Sequence, residues 1–536
     1  VRCLPRILLN GLVGTSMLGV IWCSSLNGIA SSPYLDTSLT WSVALSLVLL
    51  RMALVGPEKL SIWGLLSNVR FGLERVNRWP WTPWALALLA FAIFLHAKIV
   101  EHWTFHTTTY DLMVYSSGLD HPFKPVPLYT EWYGHSCLEF HASFGLYLFL
   151  PMYWLWPTPV CLLVLQALTA AAAVVPLYRI AEHLASHEPV APVVACAFIG
   201  NLHLGRGLMY DFHQEILAPV LVLGAFLFLL KRRMPLFWTC VALTLLTKED
   251  FGIYLAGLGF YLACAWPPRR VGVILVIVGL VYSASAVVWI VPSFRSVSPG
   301  QAFFLERWKI YGASPVQIVM TLVSQPSLLA QKLFSEVSAD LVGPLLFIPL
   351  LSPLIAPPLL PFLLFNRTSL ETCQANLELH YGLPAVPYVF LAFVLGLSRV
   401  LEWGRKTGTP LVGILAFALA WTTAPTFPRH RLTDHDRLLH EIIRSIPPGS
   451  SIVAQTTIVP HLGRRSTIHM LRDRNPRSDY VLVDSKKFAW PLSRAEFAKT
   501  LSALRSDPCY ETVLERDGIF LFRRVQRSVV ERPHAG

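Results

Sequence analysis

Apolar runs of bilayer length recur along this chain, and they leave few folds open to it. Ile7–Leu26, Leu39–Gly56, Thr82–Val100, Val160–Ile180, Pro189–Met209, Ile216–Leu230, Met234–Thr247, Phe251–Trp266, Val271–Val291, Gly382–Ser398 and Pro410–Thr423 are each predominantly apolar. A span needs about 20 such residues, and at bilayer depth the backbone must satisfy its own hydrogen bonds, so these runs predict helices. Charged residues make up only 14% of the chain, against about 25% in an ordinary soluble domain. The expectation is a mainly α, polytopic helical membrane protein of about eleven crossings. The formal charge of +12 then reads as cytoplasmic Lys/Arg clusters and not as a nucleic-acid footprint.

Those clusters set an orientation. Arg2 and Arg6 precede the first run, which reads as a signal anchor with a cytoplasmic N-terminus. Arg70, Arg75 and Arg78 precede Thr82–Val100, which places the loop Thr107–His141 outside. If Ala142–Trp156, short and aromatic, lies in the interface without crossing, four later clusters all fall inside: Arg179, Lys231-Arg232-Arg233, Arg269-Arg270, and Arg399 with Arg405-Lys406. The expected location is the cytoplasmic membrane. Pro292–Ala339 becomes an outer loop with an amphipathic run near Val316–Phe334. Leu341–Phe365 is apolar but interrupted by Pro344, Pro349, Pro353, Pro357, Pro358 and Pro361. Prolines free backbone carbonyls, so this stretch predicts a broken element beside protein or a wet cavity.

After Pro425 the pattern changes. Leu432–Ile446 has helical spacing, Ser451–Ala454 and Tyr480–Val483 read as strands, and Thr512–Leu514 with Ile519–Phe522 reads as a hairpin around Asp517-Gly518. The expected organisation is an N-terminal two-span region with a basic linker (1–81), a transmembrane core (82–425) carrying the outer loop 101–141, and a small extracytoplasmic α/β domain (426–536).

With this topology, polar groups at the ends of apolar runs share one side: Tyr110-Asp111, Asp211 with His213 and Glu215, Lys248-Glu249-Asp250, and His380-Tyr381. Ionisable groups beside bilayer-depth sequence are costly and are functional candidates by default. The plainer alternative is that each only caps or anchors a helix end. Asp111 suits a general base. Asp211, His213 and Glu215 suit a divalent cation or a proton relay, although three such residues are a weak metal motif. Lys248 suits a phosphate as a point charge, unless Glu249 or Asp250 merely neutralises it. His135, Glu139 and His141 match no standard zinc spacing. The nine cysteines contain no CxxC pair.

These residues resemble a family of bacterial membrane proteins, the domain-of-unknown-function 2079 proteins. The matching pieces are Tyr110-Asp111-Leu112, Pro176-Leu177-Tyr178, Asp211-Phe212-His213-Gln214-Glu215, Leu246-Thr247-Lys248-Glu249-Asp250, and His380-Tyr381 before Pro384 and Pro387. The chain departs from the usual pattern at Met113, where the family tends to have Gly, and at Gln214, where Pro is common. That family in turn looks like the GT-C superfamily of membrane glycosyltransferases, which includes protein mannosyltransferases and the lipid A aminoarabinose transferase.

The resemblance implies a polyprenyl-phosphate sugar donor drawn from the bilayer and an extracytoplasmic acceptor. It implies that Asp111 is the catalytic carboxylate. Tyr110, Lys248, Glu249, Asp250, His380 and Tyr381 would bind donor phosphate or substrate, and Asp211, His213 and Glu215 would hold a cation if one is used. The rival readings are a secondary transporter, which would place its polar residues at mid-membrane within inverted repeats, and a non-catalytic assembly or sensor protein.

Overall fold

The computed structural model describes residues 62–295, 305–407, 411–423, 427, 430–463, 467–472 and 476–525. The two N-terminal runs, Ile7–Leu26 and Leu39–Gly56, lie outside the described residues. The chain is mainly helical. Among the described residues, four helices are long and apolar enough to cross a bilayer: Thr82–Trp103, Pro159–Leu184, Arg269–Ser293 and Leu383–Lys406. Gln214–Leu230, Met234–Leu245 and Phe251–Ala265 are apolar but shorter. A helix of 12 residues such as Met234–Leu245 spans about 18 Å, short of a hydrocarbon core of about 30 Å. The expected count of eleven is therefore met only in part.

Local chemistry sets the breaks. The run Pro189–Met209 divides into Ala191–Ile199 and Leu202–Met209, because Asn201 accepts from the amides of His203 and Leu204 and starts a new helix. Ala142–Trp156 forms a short 3-10 turn, Phe144–Leu148, and a six-residue helix, Leu150–Leu155. Met152, Trp154, Leu155 and Trp156 stand exposed on it, the composition of an interfacial piece. The proline-rich stretch is broken as expected, into the turns Gly343–Leu345 and Ile348–Leu351 followed by helix Ala356–Arg367. Helices Phe251–Ala265 and Arg269–Ser285 pack at backbone contact. A Cβ on Gly252 would lie 2.3 Å from the carbonyl oxygen of Gly279, so neither site admits a larger residue.

The C-terminal part is a small sheet domain. Its strands run in the order Ile468–Met470, Ile452–Ala454, Tyr480–Asp484, Ile519–Arg524, Tyr510–Arg516, with the first two pairings parallel and the last two antiparallel. Strand Ile468–Met470 and helix Arg494–Ser506 were not among the sequence expectations. Alternation along the strands divides the core in two. Leu482 and Leu521 pack with Leu439, Ile442 and Ile443 of helix Asp434–Ser445. Val481, Val483, Phe520 and Phe522 pack on the other face with Leu492 and Phe497. One member of the first core comes from far away: Phe105, 1% exposed, enters it from the end of helix Thr82–Trp103.

Candidate functional site

The loop after Thr82–Trp103 is ordered around Asp111. Thr109–Met113 forms a wide turn that leads into helix Val114–Asp120. Asp111 has φ 55° and ψ −64°, a strained tight-turn conformation of a kind that persists only where surrounding contacts hold it. Those contacts come from both sides. Thr108 donates from its amide (3.1 Å) and its hydroxyl to Asp211. The Thr109 amide donates to Thr456 Oγ1 (3.1 Å), and its hydroxyl donates to the Thr456 carbonyl (3.0 Å). The ring of Trp490 meets Tyr110 edge-on, at 4.1 Å between centroids.

Asp111 opens into a cavity of about 310 Å³. Of the sequence candidates, Tyr110, Asp111, His213, Glu215, Lys248, Glu249, Asp250, His380 and Tyr381 all line it. Asp111 Oδ2 accepts from the phenol of Tyr210 at 2.7 Å, and its Oδ1 lies 3.7 Å from His213 Nε2. The rings of His213 and His380 stack at 3.7 Å. His380 Nε2 is 4.0 Å from Glu215 Oε1, which takes a hydrogen bond from Lys248 Nζ at 3.1 Å. A continuous polar chain thus runs from Asp111 through two imidazoles to a buried ion pair. Asp111 is the accessible end, with its side chain 29% exposed against 2% for Glu215.

Asp211 is the exception. It does not line the cavity; both its oxygens face Thr108. Burial pushes its carboxyl up to about 7 against the pull of Lys98 and Thr108. Among the described residues, no group of three His, Cys, Asp or Glu side chains is placed to hold a metal ion. Asp211 faces Thr108 while His213 and Glu215 line the cavity, so the three side chains do not converge on one point of it. Asp211 instead fixes the loop that carries Asp111.

Lys248 is also more constrained than its sequence suggested. Burial alone would lower its ammonium, but Glu215, Asp250 and Glu249 outweigh that and hold it raised and charged. Each acid has a further partner. Glu249 binds His141 (2.7 Å) and the amide of Ala142 (3.0 Å), and Asp250 binds the phenol of Tyr254 (3.0 Å). Among the described residues, a cavity cation without an acid partner is Arg307, which the sequence reading missed. It donates to Gln374 Oε1 at 2.7 Å and to the hydroxyl of Tyr381 at 3.4 Å. Among the described residues both acceptors are neutral, and Arg307 lines the same cavity as Asp111. Nothing in the sequence around it distinguishes it as a motif.

Two close fits hold the frame. Lys98, fully buried, donates to the carbonyls of Met209 (3.2 Å) and Tyr210, closing the end of helix Leu202–Met209 and aiming Tyr210 at Asp111. At Gly382 a Cβ would lie 2.2 Å from His203 Nδ1, so the turn bearing His380 and Tyr381 can seat only with glycine there.

The chain matches, over residues 101–521, the family described as "Predicted membrane protein (DUF2079)". It belongs to that family. The DUF2079 match spans the loop, the cavity residues and the sheet domain together. No curated protein matches the chain. Among solved structures, it is similar to the crystal structure of ArnT from Cupriavidus metallidurans bound to undecaprenyl phosphate, at 12% identity and a TM-score of 0.46, covering 82% of this chain and 98% of that one. For ArnT from the same organism in the apo state, the identity is 12% and the TM-score 0.48, with 81% and 97% covered.

Proposed function

We propose that this DUF2079 protein is a membrane glycosyltransferase that moves a sugar from a polyprenyl-phosphate donor to an extracytoplasmic acceptor. The observation that carries the reading is the pairing, in one cavity, of an accessible carboxylate, Asp111, with a cation free of acid partners, Arg307. The planar guanidinium suits a phosphate, and its present neutral partners hold it in place without satisfying its charge. This moves the phosphate contact from Lys248, where the sequence placed it, to Arg307. Lys248 instead balances Glu215, Glu249 and Asp250 and keeps the cavity floor charged and rigid.

In the reaction an acceptor hydroxyl or amine attacks the anomeric carbon. The bond from that carbon to the phosphate oxygen breaks, and its electron pair leaves on the phosphate, which Arg307 stabilises. The acceptor proton passes to Asp111. Tyr210 and His213 orient that carboxylate. The cavity faces the extracytoplasmic side of the cytoplasmic membrane, with the sheet domain on the same side and the N-terminus cytoplasmic.

Binding of undecaprenyl phosphate to the purified chain in lipid nanodiscs tests this directly. Saturable binding that Arg307→Ala weakens by roughly 10–100-fold, the size of a lost charged hydrogen-bond pair, supports the reading. Absence of binding by the wild type removes it.

A further inference from the structure

The sheet domain meets the segment His102–Tyr110 through a contact rich in histidines. The ring of His106 stacks on His430 at 3.5 Å, and that of His102 on His461 at 4.1 Å. His461 also lies 4.2 Å from Phe105 and 5.4 Å from His440, whose own ring is 4.5 Å from Phe105. His440 Nε2 bonds the Trp103 carbonyl at 2.9 Å. Buried His461 Nε2 has no hydrogen-bond partner among the described residues.

Among the described residues, the acids facing this cluster each lie beside a lysine. From the helix below come Lys98 and Glu101, already 3.6 Å apart. From the sheet domain come Arg444, Lys487 and Asp436. Lys487 Nζ bonds Asp436 at 2.6 Å and the Thr104 carbonyl at 2.8 Å.

We propose that this contact is a pH-sensitive clasp: neutral imidazoles hold the sheet domain on the Asp111 loop, and protonation of the cluster releases it. A proton on either member of a stacked pair places charge against a ring that must then stay neutral, beside a lysine. Release would remove Thr456 from Thr109 and Trp490 from Tyr110, two of the contacts that hold Asp111 in its strained conformation. The proposal does not depend on the glycosyl-transfer reading.

The sign follows from linkage. Burial, with His430 and Lys487 adding to it, lowers His106 from 6.5 to about 4, and burial lowers His430, His440 and His461 as well. For these histidines the docked state therefore binds fewer protons than the released one. Their contribution to docking is fully present above about pH 6.5 and declines as pH falls below it.

Hydrogen–deuterium exchange on the full chain in nanodiscs, at about pH 7.5 and about pH 5 and corrected for the intrinsic rate, decides the matter. The expected result is a loss of protection at Thr109 and through residues 456–462 at the lower pH, while strand Tyr480–Asp484 stays protected. His106→Phe and His430→Phe keep a stacked ring and should reduce the response. Should either variant lose protection in the strand, the wild-type comparison decides alone. Equal protection at both pH values overturns the proposal. So does a parallel loss in the strand, which is unfolding and not release, or an undiminished response in both folded variants.

Discussion

Tyr210 donates its phenol proton to Asp111 across 2.7 Å, although 99 residues separate them. The contact exists because Lys98 closes the helix before Tyr210 and Asp211 ties down the loop before Asp111. Tyr210→Phe keeps the ring and removes that donor. Hydrogen bonds to charged groups are worth about 1.5–3 kcal/mol, so sugar transfer should fall roughly tenfold or more while undecaprenyl phosphate binding stays unchanged. Transfer and binding measured side by side check this. An equal loss of both would make Tyr210 a packing residue only.

Arg307→Lys separates point charge from geometry. A lysine keeps the charge but cannot hold Gln374 and Tyr381 with one planar group while facing a phosphate. Affinity for undecaprenyl phosphate should fall between wild type and Arg307→Ala. Full affinity in the lysine variant would show that charge alone suffices.

Gly382→Ala tests the frame. With a Cβ 2.2 Å from His203 Nδ1, the turn carrying His380 and Tyr381 must shift. Overpacking of this kind costs about 1–3 kcal/mol, which should appear as a lower thermal midpoint together with loss of phosphate binding. An unchanged midpoint would mean that His203 can move aside.

Phe105→Ala removes the loop's anchor from the sheet domain's core. Burying a phenylalanine is worth about 1.5–3 kcal/mol, and truncation adds a cavity term. Limited proteolysis should then cut between the spans and the sheet domain faster than in wild type. Unchanged cleavage would show that the hydrogen bonds at Thr109 hold the domain by themselves.

Most of the cavity was legible in the sequence because bilayer-depth chemistry is strict. Polar residues such as His213, Glu215, Lys248 and His380 stand out against apolar runs, and the ends of those runs meet in space. Arg307 was not legible. It sits in the turn Leu305–Trp308, where a lone arginine is unremarked, and its meaning comes from the charge balance of residues far along the chain. Asp211 misled for the related reason that spacing reports which face a residue can occupy and not which partner it finds; its partner is Thr108. The histidine clasp was hidden because its members lie between His102 and His461, and no local pattern joins them. In the sheet domain, helix Asp434–Ser445 and the hairpin around Asp517-Gly518 were readable from periodicity and turn chemistry. The three-residue strand Ile468–Met470 was too short to declare itself.

The central claim is that Asp111 is the base and Arg307 the phosphate contact of one transfer site. The most direct measurement is single-turnover sugar transfer by purified Asp111→Asn in lipid, beside its binding of undecaprenyl phosphate. The substitution keeps size and the hydrogen bond from Tyr210 while removing the charge. The account predicts wild-type binding and a loss of transfer of roughly 10²–10⁴-fold, the contribution expected of a positioned general base. Unimpaired transfer by Asp111→Asn would contradict it.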